Sequence, residues 1–303
     1  MTIPHAIPLL TGTDGAGWTL GLVFLALSTL SSVGFATILR HNESRSGSRL
    51  VLLASNYVVA SACGAAYWAF TGARPVGGLT LALGVLGGFF FVSTAWIMTA
   101  AMARVGIGIT VAVTRLSVIL PIVASITVYS EYPSLVQTLG LALAGASLYL
   151  FGVSAGAVQE GARQPLKNWL ILAAVFAAMG CANLLLKLFS EHCPRADKPG
   201  FLTVVFAVAL MFAGALARLR RERVAAADIR LGLLLGVPNF CSTIFFILAL
   251  AAIPGIIVFP VNDIGVVVIS TLVGVIIWRE RLDPARRWAL ALALGSIALI
   301  NIR

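Results

Sequence analysis

Charge is what this sequence has least of. Asp, Glu, Lys and Arg make up 11% of its 303 residues, against roughly 25% in an ordinary soluble domain. So few cannot build a water-facing surface, which excludes a soluble globular protein. Histidine occurs three times, at His5, His41 and His192, each outside the long apolar runs. No histidine relay at membrane depth is therefore expected. The four cysteines, Cys63, Cys181, Cys193 and Cys241, are scattered without CxxC or ligand spacing. They are read as small buried hydrophobes rather than a disulfide framework or a metal site. No phosphate-cradling glycine loop, clustered carboxylates or membrane-embedded nucleophile is found. The expectation is accordingly no enzyme, no catalytic residue, no metal and no cofactor.

The formal charge of +10 raises the question of nucleic acid. The basic residues, however, stand in short segments between apolar runs, where Lys and Arg set membrane topology. They form no patch on a soluble domain, so no nucleic-acid partner is expected.

Hydrophobic residues supply 60% of the chain and the mean hydropathy is +1.01. A bilayer core about 30 Å thick needs roughly 20 apolar residues of helix. Ten runs meet that need, near 18–39, 50–71, 78–101, 106–129, 134–153, 168–189, 200–217, 229–250, 255–278 and 286–302. Lipid cannot satisfy exposed backbone groups, so each run is predicted to be a helix. The first run lacks a basic n-region and is too long for a signal h-region, so it is expected to remain as a span. Gly84 and Gly88 make a GxxxG pair in span 3, a spacing that lets two helix backbones approach.

The chain also resembles itself. Residues 86–131 and 235–280 align without a gap at an offset of 149, with identities that include Leu86/Leu235, Ser93/Ser242, Thr94/Thr243, Gly106/Gly255, Ile107/Ile256 and Glu131/Glu280. The segment 154–167 joins span 5 to span 6 and divides the chain into a first half, 1–153, and a second, 168–303. Five spans is an odd number, so the halves are expected to be inverted in the bilayer. Inverted repeats place a substrate site at the midplane between them and suit alternating access.

The residues after each repeated glutamate, Glu131-Tyr-Pro-Ser134 and Glu280-Arg-Leu-Asp283, lead into spans carrying Gly145 and Gly295. An acid ending spans 4 and 9, a short turn, then a glycine-bearing span resembles the drug/metabolite transporter superfamily, in its EamA-like ten-span branch. The stretch Gly180-Cys-Ala-Asn183-Leu-Leu-Leu-Lys187 in span 6 is similar to the first helix of small multidrug resistance proteins. The glutamate of that helix would fall near Met179, and no acid stands there. The resemblance implies an all-α protein of ten spans in two inverted five-helix repeats, with spans 1, 3, 4, 6, 8 and 9 lining a central cavity. It implies a secondary active transporter of a small polar or amphipathic metabolite or drug-like compound, in a bacterial inner membrane, as a monomer or homodimer, with a non-transporting receptor or scaffold on the same fold as the alternative. It places both termini in the cytoplasm. The loop charges point the other way: connections after spans 1, 3, 5, 7 and 9 carry fifteen Lys and Arg, and the opposite side five.

An embedded charge costs at least about 2.5 kcal/mol and normally faces a cavity or a partner. Two are well embedded, Arg115 in span 4 and Asp263 in span 9, at nearly equivalent places in the two repeats. Each lies about 5 Å from its helix centre at about 1.5 Å per residue. Inversion doubles that to about 10 Å of vertical separation, which extended side chains, a tilt, a water or a zwitterionic substrate would bridge. Functionally, Arg115 receives an anionic group and Asp263 a cation or the coupling proton; structurally, the two are a buried pair that fixes the packing of spans 4 and 9. Asn262 adjoins Asp263 and follows Pro260, which is expected to break the helix locally, as Pro238 would beside Asn239. Asn183, Trp96 and Lys187 complete the predicted substrate-binding set. Lys187, near the end of span 6, is by default an interfacial anchor, and Trp96 is equally a packing residue. The hydroxyls of Ser93, Thr94, Ser242 and Thr243 are expected to bond their own i−4 carbonyls or a neighbouring helix.

Overall fold

The computed structural model describes residues 15–45, 47–154, 166–279 and 283–302. Most of the 154–167 linker and Glu280 lie outside the described residues. Among the described residues the chain is all-helical, with eleven α-helices and one short 3-10 turn. These are α1 (Gly15–Ser44), α2 (Arg49–Phe70), α3 (Gly78–Val105), α4 (Ile107–Leu116), α5 (Ile119–Thr127), α6 (Leu135–Ser154), α7 (Leu166–His192), α8 (Lys198–Leu219), α9 (Ala226–Leu250), α10 (Gly255–Trp278) and α11 (Pro284–Ile300). Eight stretches are long and apolar enough to cross a membrane, with α4 and α5 together making one of them, Ile109–Thr127. Large apolar side chains such as Leu30, Leu234 and Ile276 point outward, as they must on helices that face lipid. The protein is a multi-pass membrane protein. Helices α6 and α11 are shorter and lie against each other, Ser147 Oγ donating to Ala289 O at 2.8 Å.

Helix starts follow local chemistry. Ser48 caps α2 by accepting from Val51 N, and Asp283 caps α11 by accepting from Arg286 N ahead of Pro284, each satisfying a donor that the first turn leaves free. His41 and His192 stand in the last turns of α1 and α7, so they lie at helix ends rather than beyond them.

The apolar runs expected to be single helices are so, with one exception. Span 4 is interrupted at Ser117–Val118, between α4 and α5. Pro121 explains it. Its missing N–H leaves Ser117 O without an i+4 donor, and Leu120 N bonds Ser117 O instead at 3.1 Å. Val118 N turns to Arg115 O, and the Ser117 hydroxyl takes the Thr114 carbonyl at 2.6 Å. Pro238 and Pro260, where a break was expected, lie inside continuous helices α9 and α10. Each costs its helix one hydrogen bond but not its course.

The helices associate across the two halves of the chain. Helix α1 lies on α9 and α10, α2 on α8 and α9, α3 on α7 and α8, α5 on α7 and α10, and α6 on α11. Glycine allows the closest of these approaches. A Cβ at Gly84 would stand 2.8 Å from Val204 Cγ1, and one at Gly88 would stand 2.8 Å from Val208 Cβ, so the GxxxG pair of α3 seats directly on α8. The buried core centres on α8, whose Phe201, Leu202, Val205 and Phe206 are fully enclosed, Phe201 stacking on Phe189 at 3.9 Å.

Candidate functional site

The two embedded charges meet. Arg115 Nη1 donates to Asp263 Oδ1 at 3.1 Å, joining the last turn of α4 to α10. The vertical gap estimated from sequence is thus bridged without an intermediary, and the interruption of span 4 begins two residues after Arg115.

The pair stands between two cavities. On the Asp263 side, a cavity of about 160 Å³ is lined by Ser28 and Ser32 of α1, Asn183 and Leu186 of α7, Ser242, Thr243 and Phe246 of α9, and Phe259, Asn262 and Asp263 of α10. On the Arg115 side, a second cavity of about 350 Å³ is lined by Ala36 and Arg40, Val111, Ala112 and Arg115, Leu148 and Phe151, Val267, Ser270 and Thr271, and Arg286. The first offers a carboxylate, two amides and four hydroxyls. The second offers three guanidinium groups and two hydroxyls. One ion pair contributes its anion to one chamber and its cation to the other.

The polar groups of the smaller cavity are fixed by their helices. Asn262 Oδ1 accepts from Ser28 Oγ at 3.3 Å and from Thr29 Oγ1 at 3.2 Å, and Ser28 Oγ also reaches Ser242 O at 3.0 Å. Ser242 and Thr243 bond Asn239 O in their own helix, at 2.9 and 3.0 Å, as expected of hydroxyls in membrane helices, yet both still face the cavity. Oxygen lone pairs left over at these groups are available to a solute with N–H or O–H donors.

Three residues predicted for the site stand elsewhere. Asn239 faces α2, where its Nδ2 donates to the buried Asn56 Oδ1 at 3.2 Å. Trp96 is 40% exposed at the arginine-rich end of the bundle. Its ring already carries a cation, the Arg220 guanidinium at 5.4 Å. Lys187 is neither an interfacial anchor nor a cavity group. It is 0% exposed and ion-paired to Glu131 and, at 2.6 Å, to Glu191, with the Tyr129 ring 5.0 Å away. Glu131 also accepts from Ile256 N at 3.1 Å. It thereby satisfies a first-turn donor of α10, where a carboxylate is electrostatically favoured.

Ser28, Ser32, Phe246 and Phe259 were missed. A signal existed for the serines, since Ser28, Thr29, Ser31 and Ser32 interrupt an otherwise apolar span. None existed for the phenylalanines. Among the described residues no cluster of His, Cys, Asp and Glu is arranged to hold a metal ion.

No family model matches the chain. An uncharacterized protein of Haemophilus influenzae is 28% identical over 219 residues, covering 72% of each chain. A solved crystal structure superposes with a TM-score of 0.73 over 94% of this chain and 98% of that one, at 17% identity. At that identity the likeness is one of fold.

Proposed function

We propose that the protein is a secondary active transporter that moves a small polar or amphipathic metabolite by alternating access. It has ten spans in two inverted five-helix repeats of the EamA-like, drug/metabolite transporter kind, and sits in a bacterial inner membrane. The observation that carries this reading is an ion pair whose two members each line a different polar cavity. A solute leaving one chamber for the other has to part Arg115 from Asp263 and take over their charges. A donor-bearing or cationic end suits Asp263, and an anionic end suits Arg115. The proton that replaces a cation on Asp263 is the natural coupling ion; exchange of one solute for another is the other route. No catalytic role is assigned to any residue.

The repeat is supported by two independent observations. One is the ungapped alignment at an offset of 149. The other is the pairing of helices. With α4 and α5 counted as span 4, span 1 lies on 8 and span 6 on 3, span 2 on 8 and span 7 on 3, span 1 on 9 and span 6 on 4. Spans 2 and 7, and 5 and 10, pair with each other. Exchanging spans 1–5 for 6–10 returns the same set, as a two-fold relation between halves requires.

The test is ligand discovery followed by flux. Purified protein is screened by thermal shift against metabolite pools between about pH 5 and pH 8, since a ligand of the folded state raises its apparent stability. A hit is then followed by counterflow in proteoliposomes. Saturable uptake lost in Asp263→Asn supports the reading. Binding without flux at any imposed gradient would sink it in favour of a receptor on the same fold.

A further inference from the structure

The smaller cavity is roofed at one end. Helices α7 and α9 finish, and α10 begins, at the end of the bundle opposite the arginine-rich one. Toward that end each of the three places a buried apolar residue one turn beyond a polar residue of the cavity. Leu186 follows Asn183 on α7, Phe246 follows Thr243 on α9, and Phe259 precedes Asn262 on α10. Phe246 and Phe259 meet edge to face at 5.3 Å.

The next layer outward is charged. Lys187, adjoining Leu186, is enclosed and ion-paired to Glu131 and Glu191. Glu131 also holds Ile256 N, three residues outward of Phe259. It stands just past the end of α5, which packs on both α7 and α10, so one carboxylate joins the ends of three helices. The fit there is close: a Cβ at Gly255 would stand 2.6 Å from Ser125 Oγ of α5 and 3.2 Å from Lys187 Nζ. Glu191 and His192, further out, are exposed. An apolar layer and a charged layer thus lie in series between the cavity and the membrane surface.

We propose that the Glu131–Lys187 pair is the latch of a gate that closes the smaller cavity at this end. Leu186, Phe246 and Phe259 exclude water from the cavity, and the pair holds their helices together. When the gate opens, water reaches both ions and returns the hydration that burial withheld, so the latch holds the closed form without opposing the open one. Glu191 lies one turn from Lys187 on the same helix and travels with it, so the lysine keeps a partner when Glu131 leaves with α5 and α10. A gate has use only for a solute that crosses, so the assignment rests on the transport reading.

The test is thiol labelling in oriented vesicles. With Cys63, Cys181, Cys193 and Cys241 replaced, a single cysteine is placed at Leu186, and a membrane-impermeant reagent is applied from the side on which α7 ends. Labelling of the parent is expected to be slow. Glu131→Gln keeps an acceptor for Ile256 N and removes the charge that holds Lys187, so it should accelerate labelling by roughly tenfold or more, the loss of one charge-assisted hydrogen bond. A cysteine at Ala209, in the fully buried core of α8, should stay slow in both backgrounds. A rate at Leu186→Cys that Glu131→Gln leaves unchanged overturns the proposal. Equal acceleration at Ala209→Cys also overturns it, since the pair then only holds the bundle together. Should Glu131→Gln not purify, the neutral pair Glu131→Gln with Lys187→Met, which leaves neither charge of the latch behind, is read in the same way. No transported solute is needed: unchanged labelling in a protein that supports counterflow removes the latch and leaves transport standing, whereas ligand binding without flux removes the transport reading whatever the labelling shows.

Discussion

If the Arg115–Asp263 pair is the partition between two chambers, weakening it must let a reagent in one chamber reach the other. The substitution to make is Asp263→Asn, which keeps the shape of the side chain and removes its charge. A hydrogen bond to a charged group contributes about 1.5–3 kcal/mol. The pair is neither fully enclosed nor open, with side chains 26% and 17% exposed, so about 2 kcal/mol is a fair figure for this one. Since 1.4 kcal/mol is a factor of ten, the ratio of open to closed partition should rise about 30-fold. Cysteine accessibility reads this directly. With Cys63, Cys181, Cys193 and Cys241 replaced, a single cysteine is placed at Asn183 in the smaller cavity. A membrane-impermeant thiol reagent is then applied from each side of oriented vesicles. In the parent, labelling is expected from one side only. In Asp263→Asn, labelling from the other side should accelerate by at least tenfold. Rates that stay equal in parent and variant, with both proteins folded, would refute the partition and leave the pair a packing device.

Other expectations follow from the same geometry. Lys187→Met strands two carboxylates around a buried site and should cost about 3–5 kcal/mol, with the further change Glu131→Gln recovering part of it in a denaturation assay. Gly88→Ala pushes a methyl group to 2.5 Å from Val205 O, so α3 and α8 must separate; a loss of about 1–3 kcal/mol should appear as a lower unfolding temperature, and Gly88→Leu should fail to purify. Asn183→Leu adds bulk and removes an amide in a cavity of about 160 Å³, so uptake in proteoliposomes should fall by an order of magnitude while folding is kept. Ser147→Ala should cost only about 1 kcal/mol, since it frees one carbonyl, that of Ala289, between α6 and α11.

Composition alone made the chain a membrane protein, because charge is too scarce for any alternative. The GxxxG of Gly84 and Gly88 was legible as a close contact, although its partner was not. Arg115 and Asp263 stood out because each charge is costly at its depth. What sequence could not show was that they touch. Nor could it show the two-residue interruption of span 4, since three prolines in similar settings gave no means of telling which would interrupt a helix. Pro121 does so because Ser117 and Val118 find alternative partners, whereas α9 and α10 simply forgo one bond each at Pro238 and Pro260. Lys187 was misread for a related reason. Position near a helix end suggests solvent, and only the fold brings Glu131 from the end of span 4 to enclose it beside Glu191.

That enclosure has a mechanical consequence. Helix α10 is held at its first turn by Glu131, which is itself ion-paired to Lys187 of α7, so that turn is an anchored point of the helix. Asp263 lies eight residues beyond Gly255, about 12 Å along the lever at about 1.5 Å per residue. A tilt of about 10° would carry it about 2 Å, enough to part a hydrogen bond, and would carry the far end of the 24-residue helix about three times as far. A small turn about that anchored end is therefore enough to separate Arg115 from Asp263.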